Sequence, residues 1–241
     1  MQAPLLPASR SRAILSKLQT DKTPAVSPAT TLWLLNGDLV SEARVASLAS
    51  ALGTSERERY ARFLRPQRAR EFLLGRMLLR HAAHTILGIA ATDISITERE
   101  GNAPLLSLPH PADAFHFSLS HSHRWVACIA TMAGRIGIDI ERKDRPRDIA
   151  AMSAAVFDRK EQEWMSRLPA HQREPGFYRL WNNKEALYKL ATNVADDIAE
   201  TSSLKMGTGW NCRSIDHPEL FIGICSTVPL ADMQIIELTG L

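Results

Sequence analysis

The stretch Phe177-Tyr178-Arg179-Leu180-Trp181-Asn182-Asn183-Lys184-Glu185-Ala186-Leu187-Tyr188-Lys189-Leu190 decides how the rest of the chain is read. Phe177, Leu180, Trp181, Ala186, Leu187 and Leu190 recur at the spacing of a helix with one apolar face. Pro175-Gly176 just upstream predicts where that helix starts. Glu185 and Lys189 are four residues apart and so share a face, with Trp181 one turn earlier as a packing anchor against a strand. Such a pair has two readings. It is a solvated surface contact worth roughly a few tenths of a kcal/mol, or it is what this helix brings to a site.

Outward from this helix, the chain alternates short strands with helices. Leu32–Leu35 reads as a strand stopped at Asn36-Gly37, and Ser41 caps a helix through Ala51. Pro66 separates two further helices, the second of which runs from about Ala69 to Ile86 and ends at Gly88, with apolar residues inward and arginines outward. Strands are expected at 93–98, 115–120, 125–131 and 136–141, with loop-like sequence at 105–111 and a turn at 121–123. Residues 118–141 read as a hairpin with polar groups at its mouth. Asp148 caps a helix through Val156, and Asp158 with Glu161 forms a capping box for the next. Short strands close the chain at 203–206, 220–225 and 233–238. The fold class expected is α+β, with antiparallel sheets and packed helices. The expected division is an N-terminal extension (1–30), an N-terminal half (31–118) and a C-terminal half (119–241).

At 241 residues, 45% hydrophobic and 23% charged, the composition is that of an ordinary soluble domain. No apolar run reaches the roughly 18 residues of a membrane span, and the first thirty residues lack the apolar core of a secretory signal. The three cysteines are scattered, without a CxxC, which argues against a disulfide scaffold or zinc ribbon and suits a reducing cytoplasm. A net charge of +3 is compatible with an anionic ligand or acidic partner and too small to imply nucleic acid.

Between Glu56 and Arg80 stand eight arginines, Arg57, Arg59 and Arg76 among them, against three acids, Glu56, Glu58 and Glu71. Most read as a solvated face. The excess predicts that a subset meets phosphate, which guanidinium binds through two parallel hydrogen bonds. Asp139 and Glu141 are two apart on a strand, so both leave from one face while Ile138 and Ile140 enter the core. They are either solvated acids on an exposed edge or ligands of a hard cation such as magnesium. With Glu185 as a third carboxylate and Lys189 as a cation, the second reading gains a phosphate-centred chemistry. His121 fits this as a hydrogen-bonding group beside an anion. As a zinc ligand with His123 it lacks partners at a suitable spacing.

Taken together, these segments resemble the 4'-phosphopantetheinyl transferases, specifically the larger type that activates nonribosomal peptide and polyketide synthases. Phe117-Ser118-Leu119-Ser120-His121-Ser122 is similar to that family's FxxSHS, Gly137-Ile138-Asp139-Ile140-Glu141 to its GIDIE, and Trp181 through Lys189 to its WxxKEAxxK. Leu74-Gly75-Arg76 and Phe157 through Glu161 add weaker matches. The resemblance implies two similar α+β halves in one chain, related by a pseudo-twofold axis, with coenzyme A between them. It implies transfer of phosphopantetheine to a serine of an apo acyl or peptidyl carrier protein, with release of 3',5'-adenosine bisphosphate, in nonribosomal peptide, polyketide or fatty acid synthesis. It assigns Mg2+ to Asp139, Glu141 and Glu185, and the general base to Glu185. Phosphate and coenzyme A contacts fall to Lys189, His121, Ser120 and Lys184. An acidic carrier and a monomeric enzyme are expected. One departure stands out: the family's Gly-Lys-Pro turn is here Gly101-Asn102-Ala103-Pro104, and Arg76, then Arg57, Arg59 or Arg80, are the candidates to replace the missing lysine. Two rival readings remain: a non-catalytic coenzyme A or carrier-binding module, although all three carboxylates are present, and a metal-dependent phosphohydrolase.

Overall fold

β1 (Thr30–Asn36), whose apolar run is buried on both faces, lies inside the first sheet. The computed structural model describes residues 30–110, 114–144, 147–192, 209–230 and 232–241. Residues 1–29 and the strand expected at Ser203–Met206 lie outside the described residues. β1 pairs antiparallel with β5 (Trp125–Thr131), and β5 with β4 (His116–Ser122). On its other side β1 pairs parallel with β9 (Met233–Leu238), giving the order β4-β5-β1-β9. The antiparallel sheets expected are present, and this one parallel pair is an addition to them. Parallel neighbours need a long crossover, and here most of the chain supplies it.

Three helices accompany this sheet: α1 (Glu42–Ser50), capped by Ser41 as expected, α2 (Thr54–Ala61) and α3 (Pro66–Leu87). Pro66 takes the first turn of α3, where its missing N–H costs nothing, and Gly88 ends it at φ 68°. β2 (Ser95–Thr97) and β3 (Leu105–Ser107) form a small antiparallel pair. β3 falls where a loop was expected, because three residues are too few to display an alternation.

The second sheet has the order β6-β8-β7, built from β6 (Ile136–Arg142), β8 (Leu220–Ser226) and β7 (Asn211–Asp216). Every pair in it is antiparallel. Leu32, Leu34, Ala127 and Ile129 of the first sheet share one core with Ile136, Ile138, Ile140, Ile222 and Ile224 of the second. The opposite face of the second sheet carries α6 (Ala170–Thr192), with α4 (Ile149–Val156) and α5 (Arg159–Ser166) beside it. α6 begins before the expected start, so Pro175 lies inside it, forfeiting one backbone hydrogen bond near the first turns. Gly176 is buried against Leu168 and Trp164, which accounts for a small residue there. Trp181 stacks on Phe177 at 6.0 Å, in a cluster with Phe157 and Met165 and not as a lone anchor on the strand.

Two features set the height of α6 over the sheet. A Cβ on Gly137 would stand 1.9 Å from the Ala186 carbonyl oxygen, and one on Gly223 would stand 2.7 Å from the Asn182 carbonyl carbon. Helix backbone therefore rests directly on strand backbone at two points.

β4 and β6 are the adjoining edges of the two sheets. Alternate serines of β4 accept from alternate N–H groups of β6: Ile138 N to Ser118 Oγ (3.2 Å), Ile140 N to Ser120 Oγ (3.2 Å) and Arg142 N to Ser122 Oγ (3.1 Å). The expected boundary between residues 118 and 119 consequently falls inside β4. The hairpin β4–β5 belongs whole to the first sheet, which β9 later closes, and the second begins at β6. A further correction concerns the cysteines. Cys212 and Cys225, directly opposite each other on β7 and β8, form a disulfide, while Cys128 is free and buried. Separation in sequence concealed a pair that strand register brings together.

Candidate active site

The period of β6 turns Asp139 and Glu141 toward α6, while Ile138 and Ile140 are buried in the inter-sheet core. α6 brings Glu185 and Lys189 to the same place. Lys189 Nζ donates to Asp139 Oδ1 at 2.8 Å and to Ser120 Oγ at 3.0 Å, and Ser120 Oγ donates to Asp139 Oδ1 at 3.0 Å. Ser122 Oγ donates to Glu141 Oε2 at 2.9 Å. Both seam serines thus hold a β6 amide and the neighbouring carboxylate at once. Lys189 therefore faces the strand acid and not its helix neighbour Glu185.

The electrostatics mark the three carboxylates as neighbours. The Asp139 carboxyl is held above the ordinary aspartate range, chiefly by burial; Lys189 and Ser120 oppose this and the charge of Glu141 reinforces it. Glu185, half-buried, is raised chiefly by burial and then by the negative charges of Asp139 and Glu141. Even so, among the described residues no three His, Cys, Asp or Glu side chains gather closely enough to hold a metal ion. Two of the three carboxylates carry an internal cation instead: Asp139 has Lys189, and Glu141 has Arg147, whose Nη2 lies 3.0 Å from each carboxylate oxygen.

Beside these acids opens a cleft of about 300 Å³, walled by Arg59, Arg68, Phe72 and Arg76 from the first half, the Gly101–Pro104 turn, Ser120 and His121, and Tyr188 and Lys189. Arg68 Nη1 lies 3.0 and 3.2 Å from the two ring nitrogens of His121 and 2.7 Å from Glu71. Desolvation, then the charges of Arg68 and Lys189, push His121 down to about 4, so its ring is neutral at physiological pH. Its 3.3 Å approach to Glu71 is then a polar contact and no ion pair.

The arginines are less outward than expected. Arg76 and Arg80 are buried; Arg80 forks onto Glu56 at 2.7 and 2.6 Å, and Arg76 Nη2 reaches Glu98 at 2.8 Å. Glu98 also takes Arg59 at 2.7 Å, and Glu42 takes Arg70. The count of three nearby acids missed these partners because Glu42 and Glu98 lie outside the arginine segment. Arg76 and Arg59 still line the cleft beside the turn that lacks the lysine. Arg57 and Lys184 are outside its lining. Arg57 is exposed and donates to the Leu52 carbonyl, and Lys184 pairs with Glu161 at 2.6 Å over the Phe157 ring. Arg68 was one of eight arginines with nothing in sequence to single it out, and Arg147 follows Glu141 at a spacing with no periodic meaning. A larger apolar cavity, about 790 Å³, is lined by Leu48, Met77, His81, Ile94 and Leu241, and of the candidate residues it holds only Arg80, already paired with Glu56.

Comparison with known proteins matches residues 40–133 to the family model described as 4'-phosphopantetheinyl transferase, N-terminal. Residues 135–215 match that of the 4'-phosphopantetheinyl transferase superfamily. Similar curated proteins include the 4'-phosphopantetheinyl transferase HetI of a Nostoc species, 29% identical over 73% of this chain and 72% of the relative. Another is the 4'-phosphopantetheinyl transferase Sfp of Bacillus subtilis, 32% identical over 58% of this chain and 60% of the relative. A third is the 4'-phosphopantetheinyl transferase AcpT of Escherichia coli O157:H7, 30% identical over 68% of this chain and 78% of the relative. The junction of the two family models, between residues 133 and 135, coincides with the passage from the first sheet to the second. With two adjoining domain matches and relatives of one kind, the chain belongs to the 4'-phosphopantetheinyl transferase superfamily, and to its larger, two-half type.

Proposed function

We propose that the chain transfers the 4'-phosphopantetheine group of coenzyme A to a serine of an apo acyl or peptidyl carrier protein, with magnesium, releasing 3',5'-adenosine bisphosphate. The observation that carries this reading is a cleft lined by Arg68, Arg76, His121 and Lys189, in which Lys189 is hydrogen-bonded to Asp139 and Glu185 stands as the neighbouring acid. The donor set suits magnesium: hard carboxylate oxygens, with the Asp139 and Glu185 carboxyls raised chiefly by burial and in part by their neighbours' negative charge, which a cation offsets. Asp139, Glu141 and Glu185 would hold it. When bound, the ion neutralises charge on the pyrophosphate of coenzyme A.

The protein's own groups do the rest. Glu185, made more basic by burial and by its acidic neighbours, takes the proton of the attacking serine hydroxyl. The serine oxygen bonds to the β-phosphorus as the bond to the nucleotide phosphate breaks. Lys189, released from Asp139, faces the phosphate oxygens. His121, Arg68 and Arg76 offer donors along the cleft. A net charge of +3 suits an acidic carrier. One chain supplies every group named, so a monomer suffices.

The test is intact mass spectrometry of an apo carrier protein incubated with the chain, coenzyme A and magnesium. Gain of one phosphopantetheine group on the carrier supports the reading. Release of phosphopantetheine with the carrier unmodified points to a phosphohydrolase, and no turnover to a binding module.

A further inference from the structure

Arg147 does not line the cleft. It is nevertheless held firmly on Glu141. Its guanidinium Nη2 lies 3.0 Å from both carboxylate oxygens, and the two side chains are only 14% and 16% exposed. The main chain there is anchored too. The Arg147 carbonyl accepts from Ile149 N at 3.0 Å, and the adjacent Asp148 caps α4 through Ala151 N at 2.9 Å. The start of α4 thus delivers a cation to the outer of the two strand carboxylates. Ser122 already occupies Oε2 of that carboxylate. An oxygen pair facing a guanidinium cannot present the same lone pairs to a metal.

We propose that Arg147 is an internal counter-ion that competes with the divalent cation for Glu141, and so sets how much free metal the site requires. This rests on the magnesium reading given above. The consequence is a lower affinity than three free carboxylates would have, because binding includes breaking the Arg147–Glu141 pair. Removing the pair should tighten metal binding about five-fold, equivalent to about 1 kcal/mol at about 1.4 kcal/mol per tenfold. Lys189 differs in kind: it lines the cleft and, once displaced from Asp139, has a substrate to meet.

The test titrates the purified full chain with Mn2+ alone, counting free ion by electron paramagnetic resonance, since Mn2+ takes the same oxygen donors as Mg2+. Arg147→Gln should bind about five-fold tighter than the parent. Arg147→Lys, keeping the charge without the guanidinium, should bind about two-fold tighter and serves if the glutamine variant fails to fold. Arg142→Gln removes an equal charge whose guanidinium pairs with Asp144 instead, and should bind like the parent. Unchanged or weaker binding by Arg147→Gln overturns the proposal, and so does equal tightening by Arg142→Gln. If the parent shows no Mn2+ binding that Asp139→Ala abolishes, the magnesium reading itself fails and the proposal with it.

Discussion

Glu185 is an acid made basic by its surroundings, and that fixes its pH behaviour. A carboxyl whose folded pKa lies above its unfolded value favours the folded state below the unfolded pKa and loses that contribution as pH rises through the folded one. Asp139 and Glu185 are both raised, so at neutral pH and without a cation they burden the fold. Magnesium should therefore raise the thermal midpoint at pH 7.5 and do so less at pH 5, where protons compete more strongly for the same raised carboxylates. Scanning fluorimetry at the two pH values checks this, and equal gains would count against a shared carboxylate site. Glu185→Gln removes one of the repelling charges without changing side-chain size. It should keep or slightly raise the midpoint while lowering transfer by about 10²-fold or more. Transfer within a few-fold of the parent would remove Glu185 from the role of base. These residues were legible in sequence because their spacing is local: two on one face of a strand, two on one face of a helix. Their partners were not: Arg147 stands six residues from Glu141 and outside β6, and the bond of Ser120 to Asp139 crosses from one sheet to the other.

At the scale of elements, the site depends on how closely α6 rests on the second sheet. Gly137→Ala would place a methyl group where the Ala186 carbonyl already stands. α6 must then lift, at a cost of about 1–3 kcal/mol or more, and Glu185, adjacent to Ala186, moves with it. A lower midpoint together with a lost rate is expected, and an unchanged rate would show that the close contact is not what positions the acid. Ser118→Ala probes the seam differently. It strands the buried Ile138 N–H, costing about 1–3 kcal/mol, yet Ser118 touches neither carboxylate's hydrogen bonds. Stability should fall and transfer persist under folded conditions. Helices α1, α3, α4 and α5 were readable from caps and apolar periodicity, and β5 and β9 from their apolar patterns. β7 was missed because its residues are polar and exposed, so hydrophobic patterning has nothing to report.

Across the whole molecule, the two halves share one core and are tied twice more, by the β4–β6 seam and by β9. The last strand returns from the second half to pair with β1 of the first. Truncation before Met233 should thus destabilise the first half, removing six paired positions beside β1 as well as the Ile236 and Leu238 contacts with its core. Hydrogen exchange should show the loss in β1, and protection of β1 unchanged by the truncation would argue that β9 is dispensable. That the chain folds as α+β in two halves was legible from the order of its elements. That its C-terminus closes its N-terminal sheet was not, because strand partnership over two hundred residues is settled by packing and leaves no local mark.

The serine seam also bears on solubility. An edge strand with free N–H groups is a template for another chain's backbone, and aggregation begins at such edges. β6 is an apolar edge strand, Ile-Gly-Ile-Asp-Ile, and would be a strong template if exposed. The hydroxyls of Ser118, Ser120 and Ser122 occupy the amides that an incoming strand would need. The strand that carries the acids can remain apolar enough to anchor them while its Ile138, Ile140 and Arg142 amides are already taken.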